Sequence, residues 1–76
     1  MIKACKCVGI RKGKLKDGRP CSTLYFNVTE CIPENDRVGE YFSHIFLSKD
    51  IPNSVVGCDI ICSVDNFKCN VTDIEL

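Results

Sequence analysis

The chain has 76 residues, 45% of them hydrophobic and 26% charged, with ten cations balancing ten acids. That length suits one domain, residues 1–76, with a small core; the mixture is too apolar for a disordered chain, and no apolar run is long enough for a signal core or a membrane span. Seven cysteines, an odd number, argue against a complete secreted disulfide framework and point to a reducing, cytoplasmic setting where free thiols pack as small hydrophobes.

The neutral total hides a segregation. Up to residue 19 there are seven cations (Lys3, Lys6, Arg11, Lys12, Lys14, Lys16 and Arg19) against Asp17 alone, for a charge of +6. Residues 20–76 carry three cations against nine acids, for −6. A one-sided electrostatic footprint of this kind is what a polyanion-binding surface requires. A solvated, charged hairpin is the plainer explanation of the same pattern.

In chain order, Met1 to Ile10 reads as a first strand in which Lys3 and Lys6 interrupt both apolar parities. Either Ile2, Ala4, Val8 and Ile10 or Cys5 and Cys7 face the core, and Gly9 is a candidate bulge. Arg11 to Pro20 reads as a basic turn punctuated by Gly13, Asp17-Gly18 and Pro20. A second strand follows from Cys21 to about Glu30. Ser22, Leu24, Phe26 and Val28 lie on its inner side, and Thr23, Tyr25, Asn27 and Thr29 on its outer side.

An acidic loop from Cys31 to Gly39 leads to a third strand, Tyr41–Leu47. Tyr41, Ser43, Ile45 and Leu47 share one of its sides and Phe42, His44 and Phe46 the other, and periodicity does not choose between them. In the next stretch Pro52 limits helix to a single turn, which Ser48 is placed to cap and Gly57 to end. A fourth strand, Cys58–Val64, alternates cleanly, with Cys58, Ile60, Cys62 and Val64 inward. Asp65-Asn66 is a two-residue hairpin candidate. In the last strand Phe67, Cys69 and Val71 share a parity that Ile74 and Leu76 break, so a bulge is expected near Thr72-Asp73.

These elements make an all-β chain: a small five-stranded, partly open barrel of the oligonucleotide-binding type, with a short helical turn between strands 3 and 4. An SH3-like barrel or a dimerising meander has the same strand count.

No cofactor, metal or catalytic site is expected. Cys58 and Cys62 have a spacing known from zinc knuckles, but in a strand their thiols are too far apart for one ion. His44 is the only histidine, and no phosphate-binding glycine loop, HExxH or nucleophile elbow is present.

The opening Met1-Ile2-Lys3, the turn Gly18-Arg19-Pro20-Cys21-Ser22, and the segments Ile45-Phe46-Leu47-Ser48 and Val56-Gly57-Cys58-Asp59-Ile60 resemble the small single-stranded-DNA-binding proteins of filamentous phages and related mobile elements. The resemblance implies a homodimeric oligonucleotide-binding fold that coats replicating single strands. It also implies backbone contacts from Lys12, Lys14, Lys16 and Arg19, with stacking rings near Tyr25 and Tyr41. The chain departs from that pattern in its zero net charge and its acidic later loops.

Cations beside exposed rings on a sheet are the physical means of holding an unpaired polynucleotide. Arg11, Lys12, Lys14, Lys16, Arg19, Tyr25, Tyr41 and Phe42 are therefore the candidate nucleic-acid-binding set, with DNA favoured over RNA as the partner. The competing expectation is a small protein-interaction module that recruits a peptide to a sheet edge and binds no nucleic acid.

Overall fold

The computed structural model describes residues Met1–Leu76. Its five strands are β1 (Ile2–Lys14), β2 (Pro20–Asn27), β3 (Phe42–Leu47), β4 (Asp59–Val64) and β5 (Val71–Glu75). They form one antiparallel sheet in the order β3-β2-β1-β4-β5. The sheet curls until its edges meet, and the Val71 N–H donates to Ser43 Oγ across them at 3.0 Å. The result is the all-β, oligonucleotide-binding-like half-barrel anticipated from the strand count.

Three single 3₁₀ turns, Thr29–Cys31, Glu34–Asp36 and Asn53–Val55, are the helical content, and the last lies between β3 and β4. It starts after Pro52 and has no side-chain cap, so Ser48 does not take the expected capping role. The second strand also ends earlier than its alternation implied, because Thr29–Cys31 turns instead of continuing extended.

β1 is longer than expected. Arg11, Lys12, Gly13 and Lys14 are not turn residues but the second half of this strand, paired with Thr23, Ser22, Cys21 and Pro20. The reversal itself is short. Leu15 N–H donates to the Arg19 carbonyl at 2.8 Å and Gly18 N–H to the Leu15 carbonyl at 2.9 Å, with Gly18 at φ +88°. Glycine adopts that conformation without a Cβ clash, which lets the ladder run to the base of the turn.

A bulge at Val8 decides which residues of β1 face inward. Cys5 and Cys7 are buried before it, and Ile10 packs on the core after it. The extra residue exchanges the two sides of the strand, so no single parity describes β1. The expected irregularity in the last strand is also present: Val64 pairs with Val71 but Ser63 with Asp73, so Thr72 is the added residue. Ile74 thereby returns to the core side opposite Cys62, whereas Leu76 stays exposed.

The link before β5 is not a two-residue hairpin. Asp65 Oδ1 accepts the Phe67 N–H at 2.8 Å and the Asp65 carbonyl accepts the Cys69 N–H at 2.8 Å, closing a wider turn that ends at Asn70. An aspartate side chain that folds back on its own backbone favours this geometry. Phe67 and Cys69 consequently lie in the turn and not in a strand.

The core joins Leu24, Phe26 and Val28 of the β2 segment to Cys5, Cys7, Cys31, Ile51, Ile60, Cys62, Val64 and Val71. Ser22 is buried but satisfied: its Oγ donates to the Lys49 carbonyl at 3.0 Å and accepts the Ile51 N–H at 3.1 Å. Burial, which disfavours the thiolate, pushes Cys5, Cys7, Cys31 and Cys62 above the ordinary thiol pKa. An acid whose pKa is raised by folding adds stability while it is protonated in both states, and that contribution is lost once the unfolded chain ionises. Thermal melts are therefore expected to be level in this respect below the ordinary thiol value of about 8.5 and to shift downward above it. An unchanged melting temperature between neutral and strongly alkaline buffer contradicts this.

Candidate nucleic-acid interface

The outward face of β1, β2 and β3 carries three cross-strand rows. Lys6, Asn27 and Phe42 form the first; Gly9, Tyr25 and His44 the second; Arg11, Thr23 and Phe46 the third. Alternation along β3 produces this arrangement: Ser43, Ile45 and Leu47 turn inward, leaving Phe42, His44 and Phe46 outside. Successive outward residues on a strand are about 6.6–6.8 Å apart, so β3 presents an evenly spaced ladder of rings.

Tyr25 occupies the middle of the face. Its ring centroid is 5.8 Å from that of His44 with the planes tilted by 41°. On its other side is Gly9, where a Cβ would come 3.9 Å from Tyr25 Cδ2, an ordinary contact. Tyr25 is thus half-buried on the outer surface, flanked by His44 and the bare backbone of Gly9.

The third row leads into a shallow depression of about 220 Å³ lined by Arg11, Lys12, Gly13, Lys14, Cys21 and Thr23. Thr23 belongs to both features, because it pairs with Arg11 on one side and Phe46 on the other. The rings and Arg11 therefore share one continuous surface. At the far end of the first row Asp59 stands opposite Lys6, marking where the face turns acidic.

The cations expected from the sequence are not equivalent. Arg11 and Lys14 line the depression without an ion pair, and Lys16 is exposed in the hairpin turn. Lys12 and Lys14 both lie on the inward parity beyond the Val8 bulge, and the Lys12 Nζ donates to Asp50 Oδ1 at 2.6 Å and to the Ile51 carbonyl. Arg19 Nε donates to Asp17 Oδ2 at 2.7 Å. Exposed pairs of this sort contribute little stability, but they lower the net charge presented by Lys12 and Arg19.

Among the aromatic candidates, Tyr25 and Phe42 are on the outward face. Tyr41 precedes β3 and is bound to the loop instead: its N–H donates to Thr29 Oγ1 at 2.9 Å, and its hydroxyl accepts the Val38 N–H at 3.4 Å. Sequence reasoning left His44 and Phe46 undecided and gave Lys6 no role at the face. The available signal was that Phe42, His44 and Phe46 share a parity opposed to the aliphatic Ile45 and Leu47.

No group of three or more His, Cys, Asp or Glu side chains is arranged to hold a metal ion. Cys62 is buried in β4, whereas Cys58 is exposed ahead of it and donates to the Ser54 carbonyl at 3.4 Å. No helix is long and apolar enough to cross a membrane. Comparison with protein-family models, with characterised proteins and with solved structures returned no match.

Proposed function

We propose that this chain binds single-stranded nucleic acid, DNA in preference to RNA, across the outward face of β1, β2 and β3. One observation carries the reading: exposed Phe42, His44 and Phe46 and half-buried Tyr25 share the outward surface that holds Lys6 and Arg11. Bases stack on the rings, and phosphates lie along the cations, a combination that tolerates any base sequence. The preference for DNA, a role in phage or mobile-element replication, and a homodimeric state are supported by the family resemblance, and a cytoplasmic setting by the odd count of cysteines; light scattering checks the homodimer.

Fluorescence anisotropy of a labelled oligo-dT, titrated at rising salt, tests the binding. Lys6 and Arg11 together correspond to a slope of about −1.4 in log affinity against log salt, at roughly 0.7 per phosphate contact on a single strand. Arg11→Ala is expected to flatten the slope by about one such contact. No binding at low salt, or binding indifferent to salt, overturns the reading.

A second surface favours the protein-interaction reading. Ile2, Ile61, Ser63, Asp73, Ile74 and Glu75 line a groove of about 360 Å³ on the β4–β5 side, its lining three isoleucines, a serine and two acids. A chain that ignores oligo-dT but is stabilised by a basic, apolar peptide is the outcome this reading requires.

A further inference from the structure

We propose that Cys5 and Cys31 are a modification site, a buried dithiol that closes to a disulfide in exchange with small-molecule disulfides and ties β1 to the turn after β2. Cys5 Sγ lies 3.9 Å from Cys31 Sγ, across a sequence separation of 26. Closing that gap to a bond of about 2.05 Å asks roughly 1 Å of each sulfur, a side-chain adjustment. The two segments are already joined on the outside, where Lys3 Nζ donates to the Glu30 carbonyl at 3.0 Å. Cys7 is directed elsewhere, donating to the Gly9 carbonyl at 3.4 Å; Cys62 lies beside Cys5 but donates to the Ile60 carbonyl at 3.3 Å, and Cys69 donates to the Cys31 carbonyl at 3.5 Å.

Cys31 is the point of entry. It is 8% exposed against 4% for Cys5, and it ends a single 3₁₀ turn without a side-chain cap. A turn this short opens by local fluctuation far more readily than the β1 ladder. The Cys31 thiolate attacks one sulfur of the small disulfide, forming a mixed disulfide and expelling one thiolate. The Cys5 thiolate then attacks Cys31 Sγ, forming the internal bond and expelling the second thiolate. The two protein thiol protons end on the two released thiolates, so two electrons pass from the protein to the small disulfide. Burial keeps both thiols protonated at neutral pH, so the reaction accelerates about tenfold per pH unit as alkalinity rises.

The test treats the folded full chain with oxidised glutathione, blocks remaining thiols, and digests with trypsin and a glutamate-specific protease. Cleavage isolates Cys5 in Ala4–Lys6 and Cys31 in Cys31–Glu34, apart from all other cysteines. The expected product is these two peptides joined, with the intact chain lighter by two hydrogens. Its melting temperature is expected to be higher by roughly 10 °C or more, because a cross-link of this span restricts the unfolded chain. Dithiothreitol should reverse both changes. Cys31→Ser should abolish the joined pair, and Cys58→Ser, which removes the exposed thiol, should leave it intact. Linkage of Ala4–Lys6 to the peptide holding Cys62, or modification confined to Cys58 while Cys5 and Cys31 stay reduced, overturns the proposal.

Discussion

Replacing Phe42 and Phe46 together with alanine is expected to weaken oligo-dT binding by about 30-fold or more and to leave the fold nearly as stable as before. Each ring that stacks a base contributes about 1–3 kcal/mol, so two lost rings remove at least about 2 kcal/mol if they act independently. The same side chains contribute little to the core, since Phe42 is 56% exposed and Phe46 53% exposed. Substitutions at such surface sites usually stay within about 0.5 kcal/mol, equivalent to a change of no more than about 4 °C in a domain this small. Anisotropy titration and thermal denaturation on the same samples separate the two effects. Unchanged affinity means that the β3 ladder takes no part in binding. A large loss of stability means that the rings are packed, and the outward face is then misassigned.

Phe26→Ala is expected to do the opposite. Phe26 is 0% exposed and sits opposite Cys7 and Ser43 in the middle of the sheet. Removing a buried phenylalanine costs about 3–5 kcal/mol in lost transfer energy and cavity formation. A domain of this length has on the order of 4–11 kcal/mol in total, so about a quarter or more of its stability is lost. The melting temperature should fall by roughly 12 °C or more, read by far-ultraviolet circular dichroism. A fall of only a few degrees means that the inner face of β2 is loosely packed and that the curl is held by other elements. The adjacent Tyr25 points the other way, so two neighbouring aromatic residues are expected to report separately on binding and on folding.

Much of this architecture was legible because strand periodicity is a local property. Leu24, Phe26 and Val28 against Thr23, Tyr25 and Asn27 identified the inner and outer sides of β2 from the chain alone. The parity break between Val71 and Ile74 likewise revealed the bulge at Thr72, since a core-facing side chain cannot change side without an added residue. The basic segment was visible, but its form was not. Arg11 to Lys14 became strand because Cys21 to Thr23 supplied partners for the ladder, and no propensity within the segment encodes that pairing.

The aromatic face shows the boundary between the two kinds of information most clearly. The order of residues by itself determined that the chain is all-β, that its positive charge is concentrated near the amino end, and that Phe42, His44 and Phe46 share one side of a strand. Only the tertiary structure decided that this side faces solvent, that Tyr25 and Arg11 lie beside it, and that Lys12 is drawn away to Asp50. The reason is that a strand's two sides are equivalent until a sheet curls. Which side is enclosed, and which cation meets an acid, depends on contacts between residues far apart in the chain.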